Sequence, residues 1–154
     1  MPAAYTASFA GSLDSVCQLP VQETKNGMVV EPSTIYLAYG GNNLRIGKIR
    51  NGYKLQHWDD GKISGHKPSV DAAFISAAEE VSGNILAVLL TGMGKDGANG
   101  MLALRQHGAT TIGQSEDSCV VYGMPRVAKE IGAVEVELPL SKIAGSIIAK
   151  WWPT

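Results

Sequence analysis

The sequence predicts an α/β fold in which a buried, mainly parallel sheet is flanked by helices. In the second half of the chain, apolar stretches at residues 85–90, 110–113 and 134–138 are separated by stretches with helical spacing. The apolar stretches are rich in β-branched residues, which is typical of strands that are buried on both faces. Strands that alternate with helices indicate parallel pairing, because each helix returns the chain to the start of the next strand.

Two helices are predicted in the first half. Residues 3–16 follow Pro2, which suits a first helical turn, and repeat apolar side chains at helical spacing. These side chains are Tyr5, Phe9 and Leu13. Ser69 is a suitable N-cap for a second helix with Asp71 in its first turn, and Ser82-Gly83 is the predicted break after it.

Between those helices the chain is predicted to form strands. Residues 29–38 and 44–49 are rich in Val, Ile and Tyr, which favours extended structure. Asn51-Gly52 is a hairpin turn signal, and residues 53–55 are predicted to form the returning strand.

Three helices are predicted in the second half. Residues 98–106 are followed by Gly108, which suits the left-handed residue after a helix end. Pro125 is predicted to open a helix over residues 126–131 that Gly132 ends. A last helix is predicted from residue 141 to about residue 151.

Composition excludes several classes of function. With 154 residues, 45% of them hydrophobic and 18% charged, the chain suits one globular domain. A net charge of −1 gives no electrostatic reason to expect nucleic acid as a partner. Cys17 and Cys119 form no disulfide framework or zinc motif, so we expect no metal and no cofactor. No apolar run reaches the length of a membrane helix, and we expect a cytoplasmic protein with no direct membrane insertion.

The most informative motif is Gly-Met-Gly-Lys-Asp-Gly at residues 92–97. It has the spacing G-x-G-x-x-G after a strand and before a helix, with Glu116 and Asp117 about 20 residues on, where a dinucleotide site would hold its ribose. However, Asp96 would place a carboxylate beside the pyrophosphate, and like charges at about 4 Å repel by about 1 kcal/mol even in bulk water. The fingerprint also usually opens its domain, whereas this motif lies far along the chain.

Two other interpretations of Asp96 remain open at this point. A carboxylate at the top of a strand can hold a histidine ring in the tautomer that deprotonates a serine. Amides of the same glycine loop can stabilise the oxyanion of a tetrahedral intermediate. Alternatively, Asp96 caps the helix that begins at residue 98.

Longer segments resemble a known family. Residues 90–109, which contain Thr-Gly-Met-Gly-Lys-Asp-Gly, and residues 114–126, which contain Ser-Cys-Val-Val-Tyr-Gly-Met-Pro-Arg, resemble the catalytic domain of chemotaxis protein-glutamate methylesterases (CheB). Residues 66–71, 35–38 and 1–9 are similar to further family segments. Tyr39 is a departure, because the family often has proline there.

The resemblance implies a doubly wound parallel sheet and a specific reaction. It implies a hydrolase that removes methyl groups from glutamate γ-methyl esters on methyl-accepting chemotaxis receptors, releases methanol and also hydrolyses certain receptor glutamines. The implied mechanism uses a Ser-His-Asp triad in which Asp96 is the aspartate. Met93 and Gly94 are the implied oxyanion loop. The family commonly carries a receiver domain, which is a further expected partner.

The resemblance also places two triad members outside this sequence. The family serine lies in a G-x-S-x-G-G motif, and no serine of this chain has that context. The family histidine precedes the Met-Pro that matches Met1-Pro2. We therefore expect a methylesterase catalytic domain without its N-terminal strands. A catalytically inactive remnant that binds receptors or a signalling domain is the alternative.

The cysteine and histidines of this chain offer no clear replacement for the missing groups. His66 precedes a helix entrance, where a structural or exposed role is expected, and His107 falls in the last turn of a helix. The sequence suggests no partner for His57. Cys119 is expected to be a small core residue rather than a reactive thiol.

Overall fold

The computed structural model describes residues 1–151 of the chain. The backbone contacts cluster into two compact units, Met1–Ser82 and Gly83–Thr154. In the part of the chain that is described, no helix is both long and apolar enough to span a bilayer.

The first unit combines two helices with two small sheets. Its elements, in chain order, are α1 (Ala3–Asp14), β1 (Val21–Glu23), β2 (Met28–Val29), β3 (Ile35–Leu37), β4 (Asn43–Ile49), β5 (Gly52–Trp58) and α2 (Val70–Glu80). β1 pairs in parallel with β3, and α1 packs on β1. β5 lies between β2 and β4 in an antiparallel sheet, and α2 packs on β4.

The prediction of one continuous strand over residues 29–38 is wrong. It divides into β2 and β3, which join different sheets. Between them Ser33 has a positive φ of 53°, and the Glu31 N–H donates to the Tyr36 hydroxyl at 2.8 Å. The chain therefore turns where the side chains alone favour extension, and β1 has no counterpart in the sequence prediction.

The predicted hairpin is confirmed, with its turn shifted by one residue. Ile49 pairs with Gly52, so the turn residues are Arg50 and Asn51. Gly52 has a φ of 126°, which a residue with a Cβ rarely adopts.

The predicted N-cap of α2 is also confirmed, because Ser69 accepts a hydrogen bond from the Ala72 N–H at 3.4 Å.

The second unit is built on a parallel sheet with the strand order β6-β7-β8. Its elements are β6 (Leu86–Leu89), α3 (Ala98–Gln106), β7 (Thr110–Gln114), a 3₁₀ turn (Glu116–Ser118), α4 (Met124–Glu130), β8 (Val136–Leu138) and α5 (Leu140–Trp151). The parallel pairing and the order of strands and helices confirm the predicted α/β class.

Helices cover both faces of this parallel sheet. α3 and α4 contact each other and both pack on β7, which places them on one face, as expected for two crossovers of the same hand. α5 contributes Ser146 to a cavity with Leu86, Thr110 and Ile112, whose side chains point to the other face. The sheet is therefore doubly wound, and its carboxyl edge carries the loops that follow β6 and β7.

Candidate active site

Asp96 lies in the loop that joins the carboxyl end of β6 to α3. The aspartate is 3% exposed, and Met101 and Leu104 of α3 are buried in the core. Gly97 is the N-cap residue of α3, with a φ of 89°, and its carbonyl accepts from the Met101 N–H at 2.9 Å. Asp96 therefore stands one residue before the N-cap, at the edge of the sheet where parallel folds gather their ligands.

The glycine loop before Asp96 offers backbone donors. Gly94 has a φ of 93°, and Met93 is 80% exposed. Among the described residues, neither the Met93 amide nor the Gly94 amide donates a hydrogen bond. Backbone N–H groups in such a loop can bind a negatively charged oxygen.

This loop is joined to the loop that follows β7. The Gly92 N–H donates to the Val121 carbonyl at 3.1 Å, and the Gly92 carbonyl accepts from the N–H groups of Gly123 and Met124 at 3.2 and 2.8 Å. Gly92 and Tyr122 form an isolated parallel bridge. The two loops therefore continue the pairing of β6 and β7 beyond the ends of the strands.

Close packing between the loops requires glycine at residue 123. A Cβ at Gly123 would lie 2.6 Å from the Gly92 carbonyl oxygen and 3.1 Å from the Gly94 nitrogen. A Cβ at Gly92 would overlap the Met124 sulfur, so this flexible side chain would have to shift. The resemblance to the family includes both glycines, but only the structure shows that they face each other.

A hydrogen-bonded acid anchors the second loop to β8. The Tyr122 hydroxyl donates to Glu137 Oε1 at 2.6 Å, and the Lys129 ammonium pairs with the same carboxylate. Hydrogen bonds from Lys129 and from Tyr122 hold the pKa of Glu137 below its usual range. Glu137 and burial together raise the pKa of Tyr122 to about 12.

The described residues of the second unit offer no histidine beside Asp96. His107 is the C-cap residue of α3, and its Nδ1 lies 2.8 Å from the Ala103 carbonyl oxygen. Because α3 has nine residues, His107 is about 13 Å of helix away from Asp96. The helix-end position that the sequence indicated for His107 is confirmed.

The other two histidines belong to the first unit. His57 Nε2 lies 2.9 Å from Thr24 Oγ1, and the imidazole stacks on Tyr39 with ring centroids 5.5 Å apart. Burial lowers the pKa of His57, and Glu23 opposes that effect. Nothing in the residues around His57 indicates these contacts, because Thr24 and Tyr39 are distant in the chain. His66 is exposed, and its Nδ1 lies 3.1 Å from the Ser64 carbonyl oxygen.

Cys119 has the properties of a structural thiol. The side chain is half-buried, and its Sγ lies 3.7 Å from the Gln114 carbonyl oxygen. Burial raises the pKa of the Cys119 thiol, although a contact with Thr91 opposes the shift. A raised pKa leaves less of the nucleophilic thiolate at neutral pH, which argues against a reactive cysteine.

Comparisons with known proteins identify the family of this chain. The profile of the family described as CheB methylesterase matches residues 1–147. The chain is 47% identical over 148 residues to a protein of Bradyrhizobium diazoefficiens named protein-glutamate methylesterase/protein-glutamine glutaminase of group 3 operon, with 96% of the chain and 41% of that protein covered. It is 48% identical over 150 residues to protein-glutamate methylesterase/protein-glutamine glutaminase 1 of Caulobacter vibrioides, with 96% of the chain and 43% of that protein covered.

A solved structure shares the fold. The crystal structure of the Thermotoga maritima CheB methylesterase catalytic domain superimposes with a TM-score of 0.90 at 37% sequence identity, covering 97% of this chain and 79% of that one. The chain spans less than half the length of the two relatives named above. With a family match over residues 1–147 and this structural agreement, the chain belongs to the CheB methylesterase family.

Proposed function

We propose that this chain is part of a cytoplasmic protein-glutamate methylesterase that hydrolyses glutamate γ-methyl esters on methyl-accepting chemotaxis receptors. The same site would hydrolyse certain receptor glutamines, whose side-chain amide carbon is attacked in the same way. The observation that carries the proposal is the burial of Asp96 in a glycine loop at the carboxyl edge of the parallel sheet. A receiver domain is proposed as a further partner, by family membership.

In the proposed reaction, Asp96 accepts a hydrogen bond from Nδ1–H of a histidine and stabilises the imidazolium that forms. That histidine takes the proton from a serine hydroxyl while the serine oxygen bonds to the ester carbonyl carbon. The amides of Met93 and Gly94 donate to the resulting oxyanion. Collapse of the intermediate breaks the bond to the methoxy oxygen, which takes the proton from the histidine and leaves as methanol.

Water then completes the cycle. It attacks the acyl-serine, with the histidine as base, and the products are the receptor glutamate and the free serine. The proposal assigns the aspartate and the oxyanion loop to this chain. The serine motif and the histidine of the family match no position of this sequence.

Methanol release from a methyl-esterified receptor tests the proposal. Two preparations are assayed: the chain alone, and the chain fused behind a family segment that carries the G-x-S-x-G-G motif and the histidine. We expect release from the fused preparation, reduced about 10⁴-fold by Asp96→Asn, because the amide would favour the wrong histidine tautomer. Glu79→Gln, at an exposed acid of α2, is the control and should retain full activity.

The outcomes separate the two classes of function. Release that persists in Asp96→Asn would refute the assignment of the aspartate. Receptor binding by both preparations without any release would support the inactive, binding remnant instead. Melting temperatures of the two variants show whether a loss of activity reflects unfolding.

A further inference from the structure

A buried amide side chain connects the two loops of the candidate site. Gln114 is the last residue of β7 and is 1% exposed. Its Oε1 accepts a hydrogen bond from the Thr91 N–H at 2.8 Å. Its Nε2 donates to the Ser118 carbonyl at 2.7 Å and lies 3.3 Å from the Ser118 hydroxyl. One side chain therefore holds the start of the glycine loop and the turn that follows β7.

The hydroxyl of Thr91 makes a second connection. Thr91 Oγ1 accepts from the Val121 N–H at 2.9 Å and donates to the Val121 carbonyl at 3.1 Å. The same carbonyl accepts from the Gly92 N–H at 3.1 Å. Thr91 is thus bound through its backbone to Gln114 and through its side chain to Val121, directly before the loop that carries the Met93 and Gly94 amides.

We propose that Gln114 and Thr91 are positioning residues that set the direction of the Met93 and Gly94 amides. The inference rests on the proposed function, because the amides matter only if an oxyanion forms there. Donors stabilise a tetrahedral intermediate when they are already aimed at the position the oxyanion will occupy. Their orientation depends on the backbone at residues 91 and 92, which Gln114 and Thr91 hold.

A residue that positions the amides and a residue that only stabilises the fold affect the kinetics differently. A displaced oxyanion donor weakens binding of the transition state and leaves binding of the ground-state ester nearly unchanged. Misplacement by about 1 Å can lower the rate about 100-fold. Variants that disturb only the loop should therefore lower kcat and leave KM unchanged.

The first test uses two nearly isosteric pairs in the fused preparation. Thr91→Val removes the hydroxyl and keeps the shape of the side chain, whereas Thr91→Ser keeps the hydroxyl. Gln114→Met removes both hydrogen-bonding ends, and Gln106→Met changes an exposed glutamine of the same unit. We expect Thr91→Val and Gln114→Met to lower kcat about 10–100-fold with KM within about twofold, by the argument on donor placement. Thr91→Ser and Gln106→Met should have the same kcat and KM as the unsubstituted protein.

Three results would overturn the inference. The first is an unchanged kcat in Thr91→Val and Gln114→Met, when Asp96→Asn abolishes release in the same preparation. The second is an equal fall in kcat in Thr91→Ser and Thr91→Val, because the hydroxyl would then have no effect on the rate. The third is a rise in KM without a fall in kcat.

A measurement that does not depend on catalysis tests the positioning role independently of the proposed function. Amide hydrogen exchange is followed by NMR in the chain of 154 residues. We expect faster exchange at Thr91 and Gly92 in Gln114→Met and unchanged exchange in the middle of α3. If no preparation releases methanol, the proposed function fails, and unchanged exchange at Thr91 and Gly92 would then also overturn the positioning role.

Discussion

At the scale of single residues, two glycines should respond to the same substitution in opposite ways. In Gly123→Ala, the new Cβ would lie 2.6 Å from the Gly92 carbonyl oxygen, and a backbone atom cannot move aside as a flexible side chain can. We expect the free energy of unfolding to fall by about 2–3 kcal/mol, which is the upper range for overpacking. Gly145 lies in α5, and among the described residues no atom of another element lies within 4 Å of the place that an added methyl group would take. Gly145→Ala should therefore stabilise the chain by about 0.5–1 kcal/mol.

Urea denaturation of the two alanine variants checks this pair. If Gly123→Ala were as stable as the unsubstituted chain, the two loops would not be packed as closely as the structure shows. Gly145→Ala is the internal control, because it changes the same atoms at a position with open space around it.

Glu137 should make the free energy of unfolding depend on pH under acidic conditions. The carboxyl group accepts from Lys129 and from Tyr122, and both bonds hold its pKa below the ordinary value of 4.5. A lowered pKa means that the folded state favours the ionised form. Its contribution is therefore fully present above pH 4.5 and is lost as the pH falls through the lowered pKa of the folded state.

The measurement compares the free energy of unfolding of the original chain and of Glu137→Gln across this pH range. The variant should be less stable at neutral pH by roughly 1–2 kcal/mol, the size expected of hydrogen bonds to a charged group that is partly exposed. That difference should shrink as the solution is acidified. Glu79→Gln, at an exposed acid of α2, should show no such difference, and a pH-independent gap for Glu137→Gln would contradict the assignment.

The residues of the candidate site differ in how far sequence alone could identify them. Asp96, Met93 and Gly94 lie in one short motif, so the resemblance named them together. Gln114, Gly123 and Glu137 act across space, and nothing in their own neighbourhood in the chain shows what they face. A polar residue at the end of an apolar strand, such as Gln114, was the available signal.

At the scale of elements, the buried side chain of Asn43 should hold the loop that precedes α2 in place and so stabilise the fold. Asn43 is fully buried, and its Nδ2 donates to Asp60 Oδ1 at 2.6 Å and to the Gly61 carbonyl at 2.9 Å. Its Oδ1 accepts from the Ser69 N–H at 3.0 Å. Asn43→Leu should destabilise the chain by about 2–3 kcal/mol, because the Ser69 amide would be left buried without this partner.

Two measurements check the role of Asn43. Thermal unfolding should show the loss of stability, whereas Asn99→Leu, at an exposed asparagine of α3, should change stability by less than about 0.5 kcal/mol. NMR titration should also show a higher pKa for Asp60, because the hydrogen bond from Asn43 is the main cause of its lowered pKa, ahead of Arg45. An unchanged pKa of Asp60 would contradict the observed contact.

The helices were more predictable than the short strands, for a physical reason. A helix satisfies its own backbone, so caps and spacing identify it, and α3 (Ala98–Gln106) begins and ends where the sequence predicted. A strand needs a partner from elsewhere in the chain. β1 and β3 exist because they pair with each other, and β2 ends where β5 ceases to pair with it.

At the scale of the whole molecule, the alternation of strands and helices was enough to predict the class of the second unit. Parallel order follows from alternation, and right-handed crossovers then fix which helices share a face. The same reasoning could not give the arrangement of the first unit. Its strands pair both in parallel and antiparallel, in two separate sheets, and local sequence contains no information on that choice.

The outer edge of β6 belongs to an apolar strand. Within the described residues of the second unit, β6 pairs with β7 only, and its residues are Leu86, Ala87, Val88 and Leu89. An apolar strand that presents unpaired N–H and C=O groups is a template for pairing with another chain. We therefore expect the chain alone to self-associate as its concentration rises. In the fused preparation, the additional family segment should cover this edge and suppress association.

Sedimentation velocity over a wide range of concentrations distinguishes the two preparations. The chain alone should sediment faster as concentration rises, while the fused preparation should keep the value of a monomer. Thermal unfolding adds a second criterion, since association would make the melting temperature of the shorter chain depend on concentration. A chain of 154 residues that stays monomeric throughout and melts cooperatively would mean that the edge of β6 is already protected by residues of the chain itself.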